Sequence, residues 1–196
     1  MPREVLLIEP NYRNKYPPMG LMKIYTYYKQ RGDNVRFYKG DLKQFAANLL
    51  CEELIRLLFG VSPEMKWRRF IPMLTSYIRY GKTADIPEEV IRDNESTAND
   101  ADMLIDLIRE YRNKFKEKDF FANPRFDVVC ITTLFTFEWA ITIDTINYVK
   151  QLCKDPKKVF VGGIASSIIP EEITKETGVV PFVGILDNPG ILDADS

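Results

Sequence analysis

The sequence predicts an α/β protein built on a parallel sheet with right-handed crossovers. Two observations carry this. Short, fully apolar, β-branched runs such as Val5-Leu6-Leu7-Ile8 and Val128-Val129-Cys130-Ile131 read as strands buried on both faces, the habit of parallel sheets. Between such runs lie stretches with apolar residues at helical spacing, so strands and helices alternate along the chain.

The first strand, Val5–Ile8, ends at Glu9-Pro10-Asn11, where proline stops it. Residues 19–31 follow as a helix with Leu21, Ile24, Tyr25 and Tyr28 on one face and Gly32 as its C-cap. Val35–Tyr38 is the second strand, closed by Gly40, which completes a βαβ opening. Strand three is Val128–Ile131, followed by helical periodicity over 138–152 through Ile141, Ile146 and Val149. Strand four, Lys158–Val161, runs into Gly162-Gly163; a short helix over 170–176 and a fifth strand over 182–186 close the pattern. The expected sheet is doubly wound and flavodoxin-like, in the order 2-1-3-4-5.

Roughly 85 residues separate strands two and three, where a crossover needs a dozen or so. The excess reads as helices over 41–59, 67–80 and 103–115, joined by a polar connection over 85–102. The chain is therefore expected to be one domain, residues 1–196, carrying a helical insertion over about 41–120. No internal repeat is visible. The cluster Met65, Trp67, Arg68, Arg69 and Phe70 admits two readings, core at helical spacing or an interface hot spot.

Composition narrows the chemistry. The charges nearly cancel, 27 basic against 28 acidic residues for a net −1, so no long-range field draws in nucleic acid or an anionic membrane. No run approaches the ~18 apolar residues of a membrane span, and the apolar stretch at the N-terminus is too short for a signal peptide. Three widely spaced cysteines suit a reducing compartment, so a cytoplasmic location is expected. The histidine count is zero. That removes Ser-His-Asp and Cys-His catalysis, His-containing zinc sites and the commonest general base near neutral pH. No catalytic residue and no metal ligand is assigned, and the chain alone is expected to turn nothing over.

What remains is ligand binding. In open α/β sheets, ligands sit beyond the carboxyl ends of the strands, near the reversal of strand order. Asn11, Thr132, Thr133, Gly162 and Gly163 all fall there, and the pocket is expected between them. The glycine pair would let a ligand approach bare backbone, and the threonines offer hydroxyls; the plainer reading of Gly162-Gly163 is a tight strand-to-helix turn. On the first reading, Gly163→Leu should block a ligand and spare the fold. Other nucleotide motifs fail: Tyr80-Gly81-Lys82-Thr83 lacks the leading glycine of a phosphate loop, GxGxxG is absent, and Glu9 stands without the acidic partners of a phosphoacceptor site. Nor is residues 12–18 a flavin phosphate loop.

Taken in order, Val5 to Asn11, Tyr16-Pro17-Pro18-Met19-Gly20-Leu21, Arg31-Gly32-Asp33-Asn34-Val35, Thr132-Thr133-Leu134 and Gly162-Gly163 resemble the N-terminal cobalamin (B12)-binding-like domain of radical SAM proteins. The likeness covers about residues 4–40 and 126–186. It implies a module that binds cobalamin, with Thr132, Thr133, Gly162 and Gly163 along the nucleotide tail. It also implies a downstream radical SAM domain as partner, absent from this chain, which would carry the [4Fe–4S] cluster and S-adenosylmethionine. The chain departs from other cobalamin domains in lacking Asp-x-His-x-x-Gly after strand one, so any corrinoid would have no histidine below cobalt. The alternative is a cofactor-free interaction or scaffold domain that docks the barrel.

Overall fold

The computed structural model describes residues 1–15, 18–81, 87–94 and 97–184. The chain forms two compact units, one from Met1–Asp41 together with Asn123 onward, the other from Leu42–Ala122.

The first unit holds a four-stranded, all-parallel sheet: β1 (Glu4–Glu9), β2 (Asn34–Lys39), β3 (Val128–Thr133) and β4 (Val159–Gly163), ordered β2-β1-β3-β4. In register, Val5 lies beside Val35 and Val128, and Val129 beside Val159. β1 and β3 are central, which is why their apolar runs are continuous and fully buried. Side chains alternate between faces, so Val5, Leu7, Val128 and Cys130 pack against Leu21 of α1 (Met19–Gln30), with Tyr28 and Phe37 around them. Burial pushes the Cys130 thiol up to about 12. The second unit supplies α2 to α5, described below. On the face of the sheet opposite α1, α6 (Trp139–Val149), α7 (Ile164–Ile168) and α8 (Pro170–Thr177) follow β3 and β4. Gly32 closes α1 with φ +79°, the left-handed turn that returns the chain to β2 at little steric cost.

Two carboxylates pin the amino edge of the sheet. Asp33 accepts from the Arg3 backbone N–H (3.0 Å) and from the guanidinium Nη2 (2.6 Å). Asp127 accepts from the Glu4 N–H (2.8 Å) and from Lys154 Nζ (2.9 Å). These bonds hold both carboxyl groups below the usual carboxylate range, for Asp33 chiefly through Arg3 and for Asp127 chiefly through the Glu4 N–H.

The second unit is helical: α2 (Leu42–Val61), a 3₁₀ turn at Trp67–Phe70, α3 (Ile71–Tyr80), α4 (Pro87–Arg92) and α5 (Ala101–Glu117). Leu50, Leu54, Leu58, Trp67, Leu74, Ile78, Leu104 and Ile108 close into one core. Trp67 is buried and its indole N–H donates to the Ser62 carbonyl (2.8 Å), so the aromatic cluster serves the core rather than an exposed hot spot. The expected helix over 67–80 is broken into turn and helix because Pro72 sits in the first turn of α3, where a missing N–H is tolerated. The connection expected over 85–102 contains α4 and a 3₁₀ turn at Ala98–Asp100. No helix among the described residues is long and apolar enough to cross a membrane.

Five strands were expected, and the described residues form four. Phe182, Val183 and Gly184 do not join the ladder, although the Phe182 N–H donates to the Val161 carbonyl (2.7 Å). Val180, Phe182 and Val183 are all exposed, so this apolar run buries too little surface to be held against β4 as the expected edge strand. Residues 185 and 186 of that expected strand lie outside the described residues. β3 and β4 also run further than their apolar runs suggest, because ladder pairing continues through Thr132–Gly162 and Thr133–Gly163.

Candidate functional site

The strand order reverses between β1 and β3, so the carboxyl edge there is where a ligand of a parallel α/β sheet is sought. Four of the five residues expected at the site meet at this edge, but in two rows on opposite faces. Thr132 and Gly162 are register partners; by strand alternation they share the face of Cys130, the one α1 covers. Thr133 and Gly163 are the next pair: Thr133 faces α7, and Gly163 borders both rows, since a Cβ on it would also meet Thr132 Oγ1 at 3.2 Å. Asn11 is exposed on the loop after β1.

The α7-facing row is occupied by the fold itself. The Thr133 hydroxyl donates to the Gly162 carbonyl (3.1 Å) and accepts from the Ser166 N–H (2.9 Å), so its hydrogen-bonding capacity goes into joining β3 to the turn after β4. Ser166 and Ser167 hydroxyls both donate to the Gly163 carbonyl, at 2.9 and 3.0 Å. Gly163 has φ +115°, and a Cβ there would meet the Thr133 carbonyl oxygen at 2.5 Å and its nitrogen at 2.9 Å. Glycine is required so that two backbones can approach. The expectation that Gly163→Leu would spare the fold is therefore corrected: any side chain at 163 collides with β3 before it reaches a ligand.

The α1-facing row is different. A Cβ on Gly162 would meet nothing within 4 Å. Among the described residues no hydrogen bond engages the Thr132 hydroxyl, although Thr132 is only 8% exposed. One residue beyond the Ile8–Ile131 pairing, the register sets Glu9 beside Thr132, and alternation puts Glu9 on the face of Val5 and Leu7. Glu9 is 1% exposed. Its Oε1 accepts from Asn14 Nδ2 (2.7 Å) and from Lys39 Nζ (3.1 Å) of its register partner on β2. Lys39 also donates to the Asn14 carbonyl (3.0 Å) and to Asn14 Oδ1. Glu9 Oε2 is buried and has no partner among the described residues. Sequence reading passed Glu9 over because it stands apart from other acids. The period-2 series Val5, Leu7, Glu9 was the available signal that this carboxylate points inward.

Beside the row, the loops after β1 and β3 touch. Tyr12 packs edge-on against Phe135 with ring centres 5.2 Å apart, and its hydroxyl lies 2.6 Å from Thr142 Oγ1. Thr142 already directs its proton to the Glu138 carbonyl (3.0 Å), so Tyr12 is the donor of the pair. Burial raises the Tyr12 phenol above its ordinary value, and the bond to Thr142 opposes that shift. Phe135 in turn contacts Phe137, whose ring is 79% exposed.

No family model, no curated protein and no solved structure matches this chain.

The fit to a corrinoid tail is thus divided. Thr132 offers a hydroxyl and Gly162 offers room, while Thr133 and Gly163 have neither to spare. The chain's residues do not fit an iron–sulfur cluster: Cys51, Cys130 and Cys153 are free, buried and far apart in sequence. Among the described residues no group of three or more acidic or cysteine side chains is placed to hold a metal ion.

Proposed function

We propose that this chain is a cofactor-binding module of the cobalamin type, of flavodoxin-like doubly wound topology, which serves a radical SAM enzyme and is not catalytic alone. The observation that carries the reading is the α1-facing row at the carboxyl edge, where the free Thr132 hydroxyl and the open face of Gly162 stand side by side. The order of Pro18-Met19-Gly20-Leu21, Thr132-Thr133-Leu134 and Gly162-Gly163 along the chain supports the corrinoid as the ligand. In this reading the nucleotide tail lies along Thr132 and Gly162, with Asn11 at the rim. No protein nitrogen ligates cobalt through imidazole, because the chain has no histidine. Iron–sulfur and S-adenosylmethionine chemistry belongs to the partner radical SAM domain.

A second reading is favoured by specific observations: a cofactor-free scaffold domain that docks that barrel. Thr133 and Gly163 are engaged internally, and Phe160, Ile164 and Ile168 around the edge strand β4 are more than half exposed. Titration with hydroxocobalamin, followed by absorbance and calorimetry, separates the two. Binding without the base-off, histidine-on spectrum supports the module. Absence of binding at about 100 µM, by this chain and by the full-length protein alike, supports the scaffold.

A further inference from the structure

A buried carboxylate oxygen without a donor is the least satisfied polar atom on the sheet's carboxyl edge. Glu9 Oε2 lies within the protein, on the same face as Thr132 and Gly162, and Oε1 already has both of its donors. Leaving such an atom unpaired in the protein interior is unfavourable, more so when it is charged, so a donor is expected to reach it. Lys39 supplies one positive charge to Glu9 at 3.1 Å, which leaves the pair close to neutral. The missing partner therefore need not be a cation. It needs to be a neutral donor, O–H or N–H.

We propose that Glu9, Thr132 and Gly162 form a subsite that takes a ribose-type hydroxyl of a nucleoside-bearing ligand, with Glu9 Oε2 as the acceptor, Thr132 as a neighbouring donor or acceptor, and Gly162 as the gap that admits the sugar. This deepens the cofactor reading above and rests on it for the identity of the whole ligand. The chemistry is specific in one respect. A carboxylate accepts only, so it selects hydroxyls over the phosphate oxygens of the same ligand, which would be repelled. Asn14 and Lys39 both bond to Oε1, which leaves Oε2 for the incoming hydroxyl.

The test uses the whole chain with two probes, hydroxocobalamin and adenosine, titrated by calorimetry into wild type, Glu9→Gln and Thr132→Val. Glu9→Gln preserves size and the oxygen facing Lys39 while replacing the charged acceptor for the incoming hydroxyl with a neutral amide that bonds it more weakly. The expected result is an affinity at least tenfold weaker in Glu9→Gln and severalfold weaker in Thr132→Val, with unchanged circular dichroism. Should Glu9→Gln not fold, Thr132→Val carries the test alone, since the Thr132 hydroxyl makes no hydrogen bond among the described residues. Equal affinity in wild type and the folded variants overturns the subsite and leaves the cofactor reading standing. Adenosine bound, and lost in Glu9→Gln, while hydroxocobalamin is ignored, upholds the subsite and removes the cobalamin reading. Binding of neither probe, by this chain and by the full-length protein alike, overturns both.

Discussion

In the helical unit, Leu42–Ala122, the fully buried large side chains are hydrocarbon or aromatic: Phe45, Leu54, Leu58, Trp67, Leu74, Ile78, Leu104 and Ile105. Its buried hydroxyls serve that packing, Thr97 donating to the Ile91 carbonyl (2.6 Å) and Thr75 bonding Cys51. The sheet unit buries a comparable apolar set at mid-strand and more polar groups, with Glu9, Thr132, Thr133 and Ser166 at the carboxyl edge, Asp33 at the amino edge, and Thr142, Thr145 and Thr177 on α6 and α8. Burying polar groups is unfavourable unless they are paired. The helical unit gives its buried surface to packing, whereas the carboxyl edge of the sheet leaves Glu9 Oε2 and the Thr132 hydroxyl without partners among the described residues, and the proposed ligand reading rests on that difference.

The comparison can be broken most forcefully in the helical unit. Trp67→Ala removes a fully buried indole and its bond to the Ser62 carbonyl, and should lower stability by about 3–5 kcal/mol in urea unfolding. A loss near zero would mean that Trp67 faces a partner after all.

Within the edge itself, the two glycines should behave as opposites. Gly163→Ala forces a side chain against the Thr133 backbone at positive φ and should destabilise by about 2–4 kcal/mol. If it is tolerated, the internal role assigned to the α7-facing row is wrong.

The amino edge should show itself through pH. Asp33 and Asp127 have folded-state pKa values below their ordinary 3.8, so the stability they contribute is complete above that value and disappears as pH falls through the lowered folded values. Asp33→Asn should flatten this acid limb in urea unfolding followed from pH 6 downward. At the other extreme, Cys130 is ordinarily 9.0 and is held up to about 12 by burial, so stability should decline as pH rises from 9.0 toward that value. An acid limb unchanged in Asp33→Asn would remove Arg3–Asp33 from the account.

The smallest effect on stability sharpens the comparison most. Gly162→Ala adds a methyl group where nothing lies within 4 Å and should stay within about 0.5 kcal/mol of the parent. The same change should weaken whatever ligand the α1-facing row holds. A variant as stable as wild type with undiminished hydroxocobalamin binding would take Gly162 out of the site.

The sequence by itself determined the local elements of this protein. Period-2 and period-3.6 patterns report which backbone state buries apolar side chains, and they placed four strands, α1, α6, α8 and the helical character of the insertion to within a few residues. The zero histidine count likewise excluded histidine-dependent catalysis without any structure. The tertiary fold decided what pairing across strands decides. Apolar patterning stops at Ile131 and Val161, yet the ladder runs two residues further, and that extension sends Thr132 and Thr133 to opposite faces. It also brings the Thr133 backbone so near Gly163 that the glycine serves the sheet, and leaves Gly162 beside open space. Glu9 and Lys39 are thirty residues apart in the chain, and only parallel register makes them neighbours. A periodic pattern carries no information about a partner strand, whereas a ligand site at the edge of a sheet is made almost wholly of such partnerships.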